Sequence, residues 1–171
     1  MSLTATISLD VQATNIGSPD LSSVRETVNA LYTLCALTNG TGANKADAIF
    51  TDQRTLTSSA TETLDLFDFG GTLSSLGAAY ANLAIKALYI QIISGNALTV
   101  GAEGSAAAWN SLTGSDTVGV SLPALGTLVA IAPGAAGYAV ADTTNHLLKI
   151  TNTASGSTVY NIIVIGASAA S

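Results

Sequence analysis

The sequence predicts an all-β chain: a single β-sandwich or jelly-roll-like domain over residues 23–171, preceded by an N-terminal strand or arm over residues 1–22. Three observations carry that expectation. Short apolar runs bounded by Gly, Pro, Asn, Asp or Ser recur every 8–12 residues or so, the spacing of sandwich strands joined by tight turns. The N-terminal segment alternates with period two. Two later segments, Leu83–Ile93 and Val159–Ile165, are apolar on both faces, as strands inside a packed sheet are. With 171 residues the chain suits one domain and can bury roughly 70% of its unfolded surface.

Taken in order, "TATISLDVQ" places Ile7, Leu9 and Val11 on one face and Thr6, Ser8 and Asp10 on the other, a half-buried strand. "NIGSPDLSS" breaks the pattern at Gly17 and Pro19. "VRETVNALYTLCAL" is ambiguous. Val24, Val28, Leu31 and Cys35 fit a helical stripe, but β-branched and aromatic residues favour a strand. "TNGTGANKADAIF" reads as a loop with one helical turn, its Asn39-Gly40 a turn signal rather than a glycosylation acceptor. Two β-prone runs follow, around Arg54–Thr57 and Thr61–Phe67, and "TLSSLGAAYANL" reads as a turn or short irregular helix. After Leu83–Ile93 come "ALTVG", "TVGVSLP", "GTLVAIAP", "GYAVA", "HLLKITN" and "VYNIIVIG", each a short strand.

Composition narrows the partners. Charged residues make up only 9% of the chain, against about 25% in a typical domain. A surface that small, polar and neutral suits repeated contact with other subunits. Net charge is −6 and the five basic residues are scattered, so no basic patch is expected to bind nucleic acid or an anionic membrane. No apolar run approaches the 20 or so residues of a membrane span. "MSLTATISLD" has no basic region ahead of a long apolar run, so no secretion signal is expected. Cys35 is the single cysteine, which rules out an internal disulfide and suits a buried small hydrophobe.

No catalytic, cofactor or metal site is expected. "NIIVIGASAA" resembles the strand and glycine turn that open a dinucleotide-binding fold, but that motif needs a helix and a carboxylate about 20 residues further on. His146 is the single histidine; a Ser–His–Asp set would have to use it with Asp142, and no G-x-S-x-G elbow is present. One His and one Cys do not make a zinc site. In the acidic run of Glu62, Asp65 and Asp68, strand alternation sends Asp65 to the face opposite the other two. Trp109, alone among Ala, Ser and Gly, reads as packing or a subunit interface; a sugar platform with Tyr138 is the lesser alternative. The candidate interface is therefore Ile7, Leu9, Val11 and Trp109.

From about Asn44 onward the succession "ANKADAIFTDQRTL", "GGTLSSLGAAYANLAIKALYI", "TVGVSLPALGTLVAIAPGAAGYAVA" and "LLKITNTASGSTVYNIIVIGAS" resembles small structural proteins of tailed bacteriophages. Proteins of this kind resemble capsid decoration, or cement, proteins. That resemblance implies a non-enzymatic virion protein, made in the bacterial host cytoplasm and placed on the outer capsid. It implies a homotrimer contacting the major capsid protein, with no active site to carry over. A coat or tail component is an alternative within the same class, although the first twenty residues hold no Lys or Arg for a genome-facing arm. A carbohydrate-binding or adhesin-like module is the alternative outside it.

Overall fold

The structure is a computed structural model that describes residues 2–17, 24–71, 80–101 and 104–168. The expected domain boundary at residues 22 and 23, most of "TLSSLGAAYANL" and the final three residues lie outside that set. All regular elements among the described residues are strands, as expected: β1 Ala5–Gly17, β2 Val24–Asn39, β3 Lys45–Ala46, β4 Ala48–Leu56, β5 Thr61–Asp65, β6 Ala84–Ser94, β7 Leu98–Gly101, β8 Gly119–Leu122, β9 Thr127–Ile131, β10 Tyr138–Ala139, β11 Leu147–Asn152 and β12 Thr158–Ala167.

Nine of these strands build two antiparallel sheets. One runs β4-β12-β6-β9, with short β10 continuing beside β9 on the same edge of β6; the other runs β5-β11-β7-β8. The chain crosses between sheets at β4 to β5, β5 to β6, β6 to β7, β8 to β9, β10 to β11 and β11 to β12. That order is the jelly roll, two Greek keys wrapped into a double sheet. The inner faces meet in one core: Leu88, Ile90 and Ile92 of β6 and Tyr160, Ile162 and Val164 of β12 face Leu64, Leu98, Val100, Leu122, Leu148 and Ile150 of the opposing sheet. Each such side chain contributes about 1.5–3 kcal/mol of transfer free energy.

The two segments that are apolar on both faces are the interior strands. β12 pairs with β4 on one side and β6 on the other, and β6 has β12 and β9 as neighbours. Gly166, expected to end the last strand, instead lies inside it at a register shift against β6. A Cβ there would sit 2.3 Å from the Asn82 side-chain oxygen. Buried Asn82 uses its amide to hold the Leu66 carbonyl at 3.0 Å, so glycine at 166 makes room for a buried polar bracket, not for a pyrophosphate.

β2 resolves the ambiguous segment as strand, with no helix. It pairs with β1 along its length and with β3 in parallel, and with no strand of the two jelly-roll sheets. Opposite Ile7 stands Cys35 and opposite Ser8 stands Thr33, so Leu34 is a bulge residue with no partner across the ladder. One extra residue reverses the side-chain phase. Val28, Ala30 and Tyr32 share a face with Ala13, Val11 and Leu9, and beyond the bulge Cys35 and Leu37 share it with Ile7 and Ala5. The even-to-odd switch hides a period-two strand.

Candidate interaction surface

The β1–β2 ribbon rests by its base on the outer face of the β4-β12-β6-β9 sheet. Leu37 and Cys35 are buried there with Ala46, Ala87 and Ile165, and Leu3, Ala5, Ile7, Ile131 and Ile163 pack around them. Burial pushes the Cys35 thiol pKa up, consistent with a packing role. From Ser8 outward this support ends. Leu9 is 48% exposed, Val28 44%, Tyr32 58% and Leu34 45%, with Val11 at 38%. The ribbon's other face carries Ser8, Asp10, Gln12, Asn29 and Thr33, with Leu31 as the apolar exception; Gln12 Nε2 donates to Asp10 Oδ2 at 3.1 Å. One face is polar, and the other is a strip of apolar side chains without a neighbour.

Between that strip and the sheet lies a groove of about 410 Å³. Its walls include Ile7, Leu9 and Leu34 of the ribbon and Ile49, Tyr89, Val129, Ile163 and Ile165 of the sheet, with no charged side chain. Ile49 and Val129 are 40% and 46% exposed at its border. Ribbon and sheet thus share one neutral apolar concavity, a surface to be covered rather than a place for reaction.

Of the residues expected at an interface, Ile7 joins the ribbon base, Leu9 and Val11 lie on the open strip, and Trp109 goes elsewhere. Trp109 is 3% exposed in the jelly-roll core. Its indole N–H donates to the Ala139 carbonyl at 3.0 Å, and its ring meets Tyr138 edge to face with centroids 5.9 Å apart. That correction has a physical cause: Trp109 N also donates to Leu147 O, which folds the small-residue loop inward over the end of the sandwich. Trp109 offers no surface to a subunit or a sugar.

Several charged groups are tied into the fold by ion pairs or backbone hydrogen bonds. Glu62, on β5, reaches across the sandwich to Arg54 of β4, with Oε2 2.7 Å from Nη1, and its other oxygen accepts from the Tyr160 hydroxyl of β12. Asp52 lies 3.1 Å from Arg54 Nε. Burial, reinforced by Glu62, raises the Tyr160 pKa far above that of a free phenol. For Arg54, burial works against the charge, but the hydrogen bond and attraction of Glu62 prevail and its pKa is raised. Asp65 faces away from Glu62, as alternation predicts, and stands 2.9 Å from His146 Nδ1. Asp68 accepts from the Gly70 amide at 2.7 Å. Fully buried Lys86 donates to the carbonyls of Gly134 and Ala135 at 2.6 Å each, and desolvation lowers its pKa. Among the described residues, no group of three or more His, Cys, Asp or Glu is placed to hold a metal ion, and no helix is long and apolar enough to cross a membrane.

No family model, curated protein or solved structure matches the chain.

The ribbon strip and groove were only half visible in the sequence. Alternation marked Ile7, Leu9 and Val11. The contribution of β2 was concealed by the bulge at Leu34, and the groove draws on strands far apart in the chain. The Arg54–Glu62–Tyr160 clasp left one signal: a carboxylate at the position two before Leu64 on an inward face.

Proposed function

We propose that the chain is a non-enzymatic structural subunit of a virion, decorating and stabilising a phage capsid through self-association and contact with the major capsid protein. One observation supports this reading above the others: a rigid jelly roll carries a projecting β-ribbon whose apolar face has no partner within the subunit. Isolated two-stranded ribbons are marginal in water, and long uncovered edge strands invite uncontrolled pairing. Such a ribbon is stable when a neighbour covers it, which is the circumstance of a subunit in a shell. Low surface charge favours the same use, because contacts form without burying unpaired ions. The resemblance of residues 44–171 to decoration proteins points to the outer capsid, and jelly rolls recur in viral shells, an argument by analogy of fold.

Electron microscopy of purified particles tests the proposal. Expected is density fitting this jelly roll on the outside of the shell, with the ribbon against a neighbouring subunit. Absence of the chain from particles overturns it.

A further inference from the structure

We infer that Asn39–Gly40 is a site of spontaneous deamidation, kept closed by the pairing that holds the ribbon to its base. Asn39-Gly40 is the single Asn-Gly pair in the chain. Glycine has no Cβ to shield its amide nitrogen, so at this pair an asparagine side chain is most readily attacked by the next backbone nitrogen.

The fold places the two reacting groups at an exposed joint and ties down both. Asn39 is the last residue of β2 and is exposed, whereas Gly40 turns out of the strand at φ 122°. The Gly40 N–H donates to the Ala46 carbonyl at 3.1 Å, beside the Asn39–Ala46 pair of the parallel β2–β3 ladder. The side-chain oxygen of Asn39 accepts from the Leu3 N–H at 3.0 Å. Nucleophile and electrophile are thus held by different segments, one by β3 and the other by the residues leading into β1. As a strand residue, Asn39 also points its side chain out of the sheet rather than along the chain toward the next nitrogen.

Reaction requires both ties to open. The Gly40 nitrogen then loses its proton to solvent and bonds to Asn39 Cγ. The bond from Cγ to Nδ2 breaks, and the side-chain nitrogen leaves as ammonia. Water opens the resulting succinimide at either carbonyl and leaves an aspartyl or an isoaspartyl residue. The sum is one water in and one ammonia out, with no oxidant, reductant or cofactor.

The position gives the product its consequence. Either form adds a negative charge where ribbon and body join, and the isoaspartyl form also inserts an extra carbon into the backbone after β2. That insertion displaces the Gly40 amide from Ala46, which is buried with Cys35 and Leu37 beneath the ribbon. The step is one-way. Each opening of the base is an opportunity for the reaction, and each reaction leaves the base looser.

The test follows the full chain by peptide mapping and mass spectrometry during warm incubation at mildly alkaline pH, folded and in urea. Hydrogen exchange of the Gly40 amide is measured on the same samples. In urea, Asn39 is expected to react ahead of every other asparagine. In the folded chain its rate is expected to be roughly thirtyfold lower, the effect of two net hydrogen bonds. Leu3→Pro removes the N–H that holds Asn39 Oδ1 and is expected to raise the folded-state rate several-fold. Where that variant fails to fold, the wild type carries the test: exchange at Gly40 and reaction at Asn39 must quicken together as urea is raised below the unfolding transition. The reacted chain is expected to have Cys35 labelled by a thiol reagent faster than fresh chain. Another asparagine reacting first in urea overturns the site. Equal rates at Asn39 in folded and unfolded chains overturn the closure, as does a folded-state rate independent of Gly40 exchange or a folded Leu3→Pro variant with an unchanged rate. A reacted chain whose Cys35 stays fully protected overturns the loosening of the base.

Discussion

β12 and β1 are both strands with alternating faces, yet they live under opposite conditions. β12 has hydrogen-bonded neighbours on both edges and side chains buried on its inner face, with Tyr160 and Ile162 fully enclosed. β1 has one neighbour, β2, and its Leu9 and Val11 side chains face solvent. The difference teaches that period-two alternation reports which side chains share a face. It does not report whether the molecule itself supplies what covers that face. In the jelly roll the covering layer is folded from the same chain; on the ribbon it has to come from outside.

The comparison is broken most severely by removing the supported strand. A chain ending after Tyr160 loses the centre of the larger sheet and the core side chains Ile162 and Val164, and is expected to be unfolded by circular dichroism at all temperatures. A cooperative transition in that truncation would show that β12 is dispensable. Next in size is Trp109→Ala, which opens a cavity in the core and is expected to cost about 3–5 kcal/mol in denaturant unfolding. A cost under about 1 kcal/mol would return Trp109 to the surface.

The inter-sheet clasp gives a smaller effect and a pH signature. Glu62→Ala leaves Arg54 and the Tyr160 hydroxyl without their shared acceptor; with Arg54 31% and Glu62 19% exposed, water offsets part of the loss. The expected cost at neutral pH is about 2 kcal/mol. Tyr160 keeps its proton in the folded state well beyond the pH at which an unfolded tyrosine releases it. Its contribution is therefore complete below about pH 10 and is lost as pH rises further. Tyr80, whose pKa burial also raises, acts in the same direction, whereas the lowered pKa of Lys86 acts in the opposite one. Tyr160→Phe, measured against the wild type so that those two cancel, is expected to show a shallower alkaline decline. An identical decline in both proteins would contradict the assignment.

The smallest effect on stability is expected from the ribbon. Replacing residues 8–33 by an Asn-Gly turn joins Ile7 to Leu34 and keeps the packed base, so the melting temperature is expected to shift by only a few degrees while self-association disappears. Loss of folding would mean that the ribbon is part of the body after all.

Much of the body was legible from residues alone. Turn signals bounded the short strands, and the two-faced apolar runs marked β6 and β12 as interior. The strip was legible in β1, where no bulge disturbs the alternation from Ala5 to Ala13. It was illegible in β2, because an extra residue at Leu34 moves the apolar positions from even to odd. For Trp109 the packing reading holds and the interface reading does not; its loop is made of small residues, and nothing local decides between them by indicating that Tyr138, Ala139 and Leu147 close over it. The Glu62 clasp was hidden for a related reason: Glu62 reaches Arg54 and Tyr160, paired neighbours on β4 and β12, only when the two sheets stack.

Amide hydrogen exchange across a dilution series most directly tests the claim that the ribbon is covered by another molecule. At high concentration the amides of residues 8–14 and 28–33 are expected to be protected, and on dilution they are expected to exchange freely while those of β12 stay protected. Ribbon protection that does not change with concentration would contradict the account.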